Sequence, residues 1–189
     1  MNEKIDVLNE LGEFTGGVAT IDECHSTGYW HRAVYAFIVD KDLNVLLQKR
    51  SGSKKLWPGK WDVTVGGHVK SGEFGRQALI RECKEELGIE VDDSEIKYIV
   101  GTTSVYNKNG YINNHYDECY LITKDVNLKD LVLQKEEVSD AKYFSKDEII
   151  KRINNNYEGL TEKEVSWSIF KKIFESNIVE LFIDIQSQK

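Results

Sequence analysis

The sequence predicts a mixed α+β domain, a mixed β-sheet packed with a few helices. Three observations carry this. Short β-rich runs occupy the first two thirds, one strongly amphipathic helix interrupts them near the middle, and helix-start signals gather in the last quarter. The runs do not alternate regularly with helices, as a parallel βαβ sheet would require.

Ile5 to Ile21 has apolar stretches broken at Leu11-Gly12-Glu13 and Gly16-Gly17, and reads as a hairpin or two short strands. Ala33 to Val39 is β-rich, and five polar-rich residues separate it from Val45 to Gln48, which predicts a second hairpin. Ser51 to Lys60 is a polar, glycine-bearing loop, Trp61 to Val65 a strand, and Gly66 to Gly72 another loop. Phe74 to Leu87 is the clearest helix. Strands are expected at Ile96 to Tyr106 and Tyr116 to Thr123, with a loop from Tyr106 to His115. From Ser145 the chain reads as helical, with capping-box patterns at Ser145–Glu148 and Thr161–Glu164. Without linker, repeat or low-complexity stretch, residues 1–189 are expected to form one domain. Residues 1–30 would be its N-terminal hairpin part and 145–189 its helical C-terminal part.

Bulk properties narrow the function. With 40% hydrophobic and 30% charged residues the chain can bury an ordinary core. A net charge of -7 argues against a nucleic-acid partner, whose phosphates need a basic face. No stretch approaches the ~20 apolar residues that span a bilayer, and Met1-Asn2-Glu3-Lys4 does not open a signal peptide. Cys24, Cys83 and Cys119 are odd in number and widely spaced, which predicts free thiols and a cytoplasmic setting.

The central helix has two faces. On a helical wheel Leu79, Ile80, Cys83 and Leu87 share an arc of about 100°, and Glu82, Glu85 and Glu86 share another. Spaced i, i+3, i+4, the glutamates are neighbours whose like charges repel. They form either a solvated acidic face or an oxygen site for a hard divalent cation.

The segment from Gly67 to Ile89 resembles the Nudix box, Gly-x5-Glu-x7-Arg-Glu-U-x-Glu-Glu-x-Gly-U, with U bulky and apolar. Gly67, Glu73, Arg81, Glu82, Glu85, Glu86 and Gly88 fill every fixed position, Ile89 the final apolar one, and Cys83 the other with a small hydrophobe. The resemblance implies the Nudix fold, a mixed sheet between helices, and a Mg²⁺-dependent pyrophosphohydrolase in which Mn²⁺ can substitute. It implies that Glu82, Glu85, Glu86 and the Gly67 carbonyl hold the metal, and that Glu73, Arg81 and Gly88 are structural. In the family the general base often lies outside the box. Glu137, and after it Glu136, is the candidate, in an acidic loop before a late strand.

Substrate-side candidates are Lys49 and Arg50, at the end of the second hairpin, Trp57, which offers a stacking face, and His68. A looser similarity, from about Ile5 to Phe144, is to the isopentenyl-diphosphate isomerase branch of the superfamily. It rests on His25, His31-Arg32-Ala33, the Lys54 to Trp61 run and Gly67-His68. In that branch the corresponding histidines help form a second metal site. The isomerases place a catalytic cysteine where this chain has Gly66, and His115, Asp117 and Glu118 match their later acidic pair only loosely. The expected substrate is therefore a nucleoside diphosphate linked to another moiety, or a related organic diphosphate, with no nucleic acid or membrane partner. A homodimer would be common in the family. The alternatives are the isomerase and a non-catalytic diphosphate- or nucleotide-binding module.

Overall fold

Alternating apolar and polar residues turn the first half of the chain into hairpins, and the computed structural model traces them from Lys4 onward. It describes residues 3–108, 110–176, 178, 179 and 182. The elements in order are β1 (Lys4–Leu8), β2 (Phe14–Thr20), α1 (Ile21–Thr27), β3 (Trp30–Val39), β4 (Asn44–Arg50), β5 (Trp61–Asp62), β6 (Val65–His68), α2 (Gly75–Leu87), β7 (Ile96–Lys108), β8 (Tyr111–Thr123), β9 (Val138–Ser145), α3 (Lys146–Asn154) and α4 (Glu164–Glu175). This is the mixed α+β class expected. The chain forms two compact units interleaved in sequence. One is built from residues up to Tyr35, Gly66–Glu82 and Tyr98–Tyr120, the other from Ala36–Val65, Cys83–Lys97 and the chain from Leu121 onward.

In the first unit β1 and β2 pair antiparallel, Lys4 opposite Thr20 and Leu8 opposite Phe14. Their turn closes on Asn9, whose side-chain oxygen accepts from the Leu11 and Glu13 amides, with Gly12 in the left-handed region at φ +81°. Ile5, Ala19 and Cys24 form a small core there, joined by Val7 and Ile21. Helix α1 follows β2 at once. Thr20 caps the Glu23 amide while the Glu23 carboxylate returns to the Thr20 amide, and Gly28 ends the helix at φ 78°. The expected loop from Tyr106 to His115 is largely strand, because β7 runs on to Lys108 and β8 starts at Tyr111. Asn113 and Asn114 disguise this in sequence, since asparagine is depleted from strands in general.

In the second unit β4 is paired on both sides. It meets β3 at Ile38–Leu46 and Val39–Val45, β5 at Gln48–Asp62, and β9 from Asn44–Ser145 to Arg50–Val138. Phe37 packs edge-on against Phe170 of α4, ring centroids 5.1 Å apart, and Trp167 and Phe170 are fully buried. Burying such a side chain contributes about 1.5–3 kcal/mol. Ser145 caps α3 through the Glu148 amide, as its spacing predicts. The second capping pattern is not realised. Helix α4 begins at Glu164 without a side-chain cap, and the Thr161 hydroxyl donates instead to the buried Asp62. The rest of the expected C-terminal helical part lies outside the described residues.

Candidate metal and active site

Helix α2 presents its three glutamates unequally. Ala78, Leu79, Cys83 and Leu87 are buried as the apolar stripe, and Glu86 is buried with them at 5% exposure. The side chain of Glu82 is 12% exposed, and Glu85 stands in solvent. Glu86 accepts from Gln48 Nε2 at 3.0 Å. A solvated acidic face would not bury one member. Taking a carboxylate out of water beside two others is unfavourable unless positive charge compensates it.

The residues around the glutamates are braced by Arg81. Its guanidinium donates to both Glu73 oxygens at 3.0 and 2.9 Å, to Glu82 Oε1 at 2.6 Å and to the His68 carbonyl at 3.0 Å. Burial works against the Arg81 charge, but Glu73 and Glu82 outweigh it and raise the guanidinium above its ordinary pKa. Burial likewise favours protonated Glu73, yet Arg81 and the Lys70 amide hold its carboxyl below the usual range. Glu73 is thus a partner for Arg81, just ahead of α2. Gly67 lies against Glu82 so closely that a Cβ there would collide with the carboxylate. At the other end Gly88 takes φ +71°, and the amides of Gly88 and Ile89 return to the Lys84 and Cys83 carbonyls.

That helix end also docks the acidic loop. The amides of Val132 and Gln134 donate to the carbonyls of Leu87 and Glu86, both at 3.0 Å. The loop then turns at Gln134 and presents Glu137, whose carboxylate pairs with Lys54 Nζ at 2.5 Å.

The substrate-side candidates diverge. Lys49 Nζ lies 5.8 Å from the centre of the Trp61 ring, which packs edge-on against Phe144. Arg50 is committed inward, donating to the Leu56 carbonyl at 2.9 Å and to the buried Asp62 at 3.2 Å. Trp57 is half-buried and sits at φ 49°, a conformation that non-glycine residues adopt at a cost of roughly 1–2 kcal/mol.

His68 points to a different cluster. His25 on α1, His31 on β3, His68 on β6 and His115 on β8 each offer a ligand nitrogen, all within 4.8 Å of one another. His31 is fully buried; its Nδ1 faces the Tyr29 carbonyl at 2.8 Å. Burial, and then the neighbouring His115, pushes the His31 imidazole down to about 3, so the ring is neutral. His115 Nδ1 faces Asn113 at 3.2 Å and Asp117 at 3.4 Å. In both rings Nε2 is buried and has no hydrogen-bond partner among the described residues. Sequence reasoning took His115 for a loose substitute of an acidic residue, and the pairing of β8 with β3 brings it to the other three.

A family model, the NUDIX domain, matches residues 29–163, and every fixed box residue falls within that span. The chain belongs to the Nudix hydrolase family. It is 38% identical over 147 residues to an uncharacterised Nudix hydrolase of Listeria monocytogenes, covering 78% of this chain and 82% of that one. It is 38% identical over 151 residues to Nudix hydrolase 3 of Arabidopsis thaliana, where the match takes 77% of this chain but spans only 20% of the plant protein. An isopentenyl-diphosphate Delta-isomerase of Salmonella arizonae is 30% identical over 124 residues, 66% of each chain. The DR0079 structure from Deinococcus radiodurans superposes with a TM-score of 0.66 at 23% identity, over 90% of this chain and 98% of that one, and so shares the Nudix fold. Nudix hydrolases use divalent cations and act on small-molecule diphosphates. Among the described residues no helix is long and apolar enough to cross a membrane.

Proposed function

We propose that this chain is a Mg²⁺-dependent pyrophosphohydrolase, with Mn²⁺ as substitute, that cleaves the diphosphate of a nucleoside diphosphate linked to another moiety or of a related organic diphosphate. The observation that carries this reading is the buried Glu86 carboxylate beside Glu82 and Glu85 on one helix face. An all-oxygen, multiply negative donor set of this kind fits a hard divalent cation. Glu82, Glu85, Glu86 and the Gly67 carbonyl would hold it. When bound, the cation polarises a phosphoryl oxygen and lowers the pKa of its water.

The chain's own residues do the positioning. Arg81 fixes Glu82 from one side and Glu73 from the other, so that carboxylate cannot rotate away. Gln48 fixes Glu86. Glu137, on the loop docked to the end of α2, is the candidate general base. Its carboxylate pairs with Lys54 and would accept the proton of the attacking water. Lys49 is the candidate phosphate contact, and Trp57 the candidate stacking face. Three buried thiols, Cys24, Cys83 and Cys119, support a reducing, cytoplasmic setting.

The isomerase reading has relatives in its favour but lacks a proton donor at Gly66, because glycine has no side chain to protonate an alkene. One experiment separates the readings. Phosphate release is measured with Mg²⁺ on nucleotide sugars, ADP-ribose, dinucleoside polyphosphates and isopentenyl diphosphate, with EDTA and Glu85→Gln controls. Hydrolysis that needs both Mg²⁺ and Glu85 is expected. Isomerised isopentenyl diphosphate without phosphate release would overturn the proposal.

A further inference from the structure

We infer that a groove in the first unit, lined from β3, β7 and β8, binds the nucleobase of the substrate, and that Arg32 and Glu118 select guanine there. This rests on the proposed cleavage of a nucleoside diphosphate for the fate of the ligand, not for its binding. The groove measures about 540 Å³, within the range of small-molecule sites, and Leu8, Arg32, Thr103, Tyr116 and Glu118 line it. Side chains alternate across a strand, so Arg32, Tyr116 and Glu118 lie on the sheet face opposite His31 and His115.

The register of β3 and β8 sets opposite charges side by side. Asn114 Nδ2 donates to the Gly28 carbonyl at 2.7 Å, and one step further along both strands the rings of Trp30 and Tyr116 lie 5.0 Å apart. The partners advance together, so the two strands run parallel here and the next step brings Arg32 beside Glu118. A guanidinium and a carboxylate so placed attract each other. Yet they turn apart. Arg32 donates to the Glu73 carbonyl at 2.8 Å and lies 4.0 Å from Asp6, while the Glu118 carboxylate accepts from the Tyr120 hydroxyl at 2.5 Å. Among the described residues no ion pair joins Arg32 to Glu118. The groove therefore holds a cation and an anion whose partners lie elsewhere.

That pair fits a base with two donors and an acceptor along one edge. Guanine offers N1–H and N2–H to a carboxylate as a bidentate pair, and the adjacent O6 accepts from a guanidinium. Adenine and cytosine offer a carboxylate only an amino group there, and uracil only N3–H. Tyr116 supplies a stacking face, its ring set by Trp30 and by its hydroxyl, which donates to the Glu10 carbonyl. Helix α2 ties the groove to the box. A Cβ on Gly75, at the start of the helix, would collide with the Glu118 carboxylate. Glu82 follows two turns later on the same side of the helix, about 10 Å along its axis. A nucleotide spans a comparable length from base edge to diphosphate.

The test titrates GDP, ADP, CDP and UDP calorimetrically into the full chain carrying Glu85→Gln, with Mg²⁺ present, so that binding is read apart from turnover. GDP is expected to bind at least about tenfold tighter than the other three, the discrimination of one good bidentate pair. Adding Glu118→Gln should erase that advantage and leave ADP and UDP binding unchanged; a merely structural role would weaken all four alike. Arg32→Met should narrow the GDP advantage in the same selective way, and it serves if Glu118→Gln fails to fold, which melting curves check. Tyr116→Leu should weaken all four together, because stacking is tolerant of base identity. Equal affinity for the four, no binding of any, or a GDP preference that survives in Glu118→Gln would overturn the inference. A parent that binds GDP in this way but releases no phosphate from any GDP-linked substrate would sink the hydrolase reading alone.

Discussion

Two residues show how this site sets function against stability. Glu86 is a carboxylate held where water is scarce, and it accepts from the amide of Gln48. Glu86→Gln keeps the volume and an acceptor for Gln48 while removing a charge that neighbouring carboxylates repel. Its melting temperature without metal should equal or exceed that of the parent, while Mg²⁺-dependent hydrolysis falls by more than about tenfold. A variant that melts earlier and keeps its rate would show that the burial serves the core instead. Gly67→Ala tests the opposite face of the site. The added methyl must displace the Glu82 carboxylate, which Arg81 holds, so the turnover rate should drop about 100-fold, as ångström-scale misplacement does elsewhere. Steady-state kinetics on whichever substrate the panel identifies would measure it, and a near-normal rate would mean Glu82 has room to move.

Among the elements, α2 was readable because its apolar stripe, its terminal glycine and its glutamate spacing are all local patterns with the period of one helix. What the wheel could not supply is that Glu86 falls at the edge of the buried stripe and goes in with it. Helix α1 escaped although Thr20 and Glu23 carry a complete capping box, since seven residues following a strand offer too little periodicity to register. Thr161 failed in the opposite way. It has the capping spacing, but the buried Asp62 accepts its hydroxyl, a tertiary demand no local pattern records. The C-terminal end of α2 yields a prediction at this scale. Gly88→Ala forces a left-handed alanine and brings its Cβ to 2.8 Å from that of Val132. Backbone strain alone is roughly 1–2 kcal/mol, and the shift also disturbs the amide bonds by which the Glu137 loop docks. Urea unfolding should show at least that loss together with a reduced rate. Full stability would mean the loop yields without strain.

Across the whole molecule, the features hardest to read were those assembled from distant segments. The histidine tetrad gathers positions 25, 31, 68 and 115; the isomerase resemblance pointed to the first three, and His115 joins them because β3, β6 and β8 are neighbours in the fold. The same is true of the anchor around Asp62. This carboxylate is 1% exposed and accepts from Lys163 at 2.8 Å, Arg50 at 3.2 Å and Thr161 at 3.0 Å, tying the approach to α4 onto β4 and β5. Burial by itself would raise its pKa, but the charges of Lys163 and Arg50 outweigh burial and hold it below the ordinary value. The sign of its effect on stability follows. A carboxyl with a depressed folded pKa binds fewer protons folded than unfolded near its titration, so stability rises with pH there. Its contribution is complete above the unfolded value of about 3.9 and is lost as pH falls through the lower folded value. Asp62→Asn strands two cations, one of them largely buried, and should lower stability at pH 7 by roughly 3 kcal/mol. That deficit should shrink as the parent is acidified below about pH 4, because the parent then loses the same charge. Urea titrations of both proteins between neutral and acidic pH would trace it, and a deficit constant across that range would mean that packing around the side chain, and not its charge, holds this part of the fold.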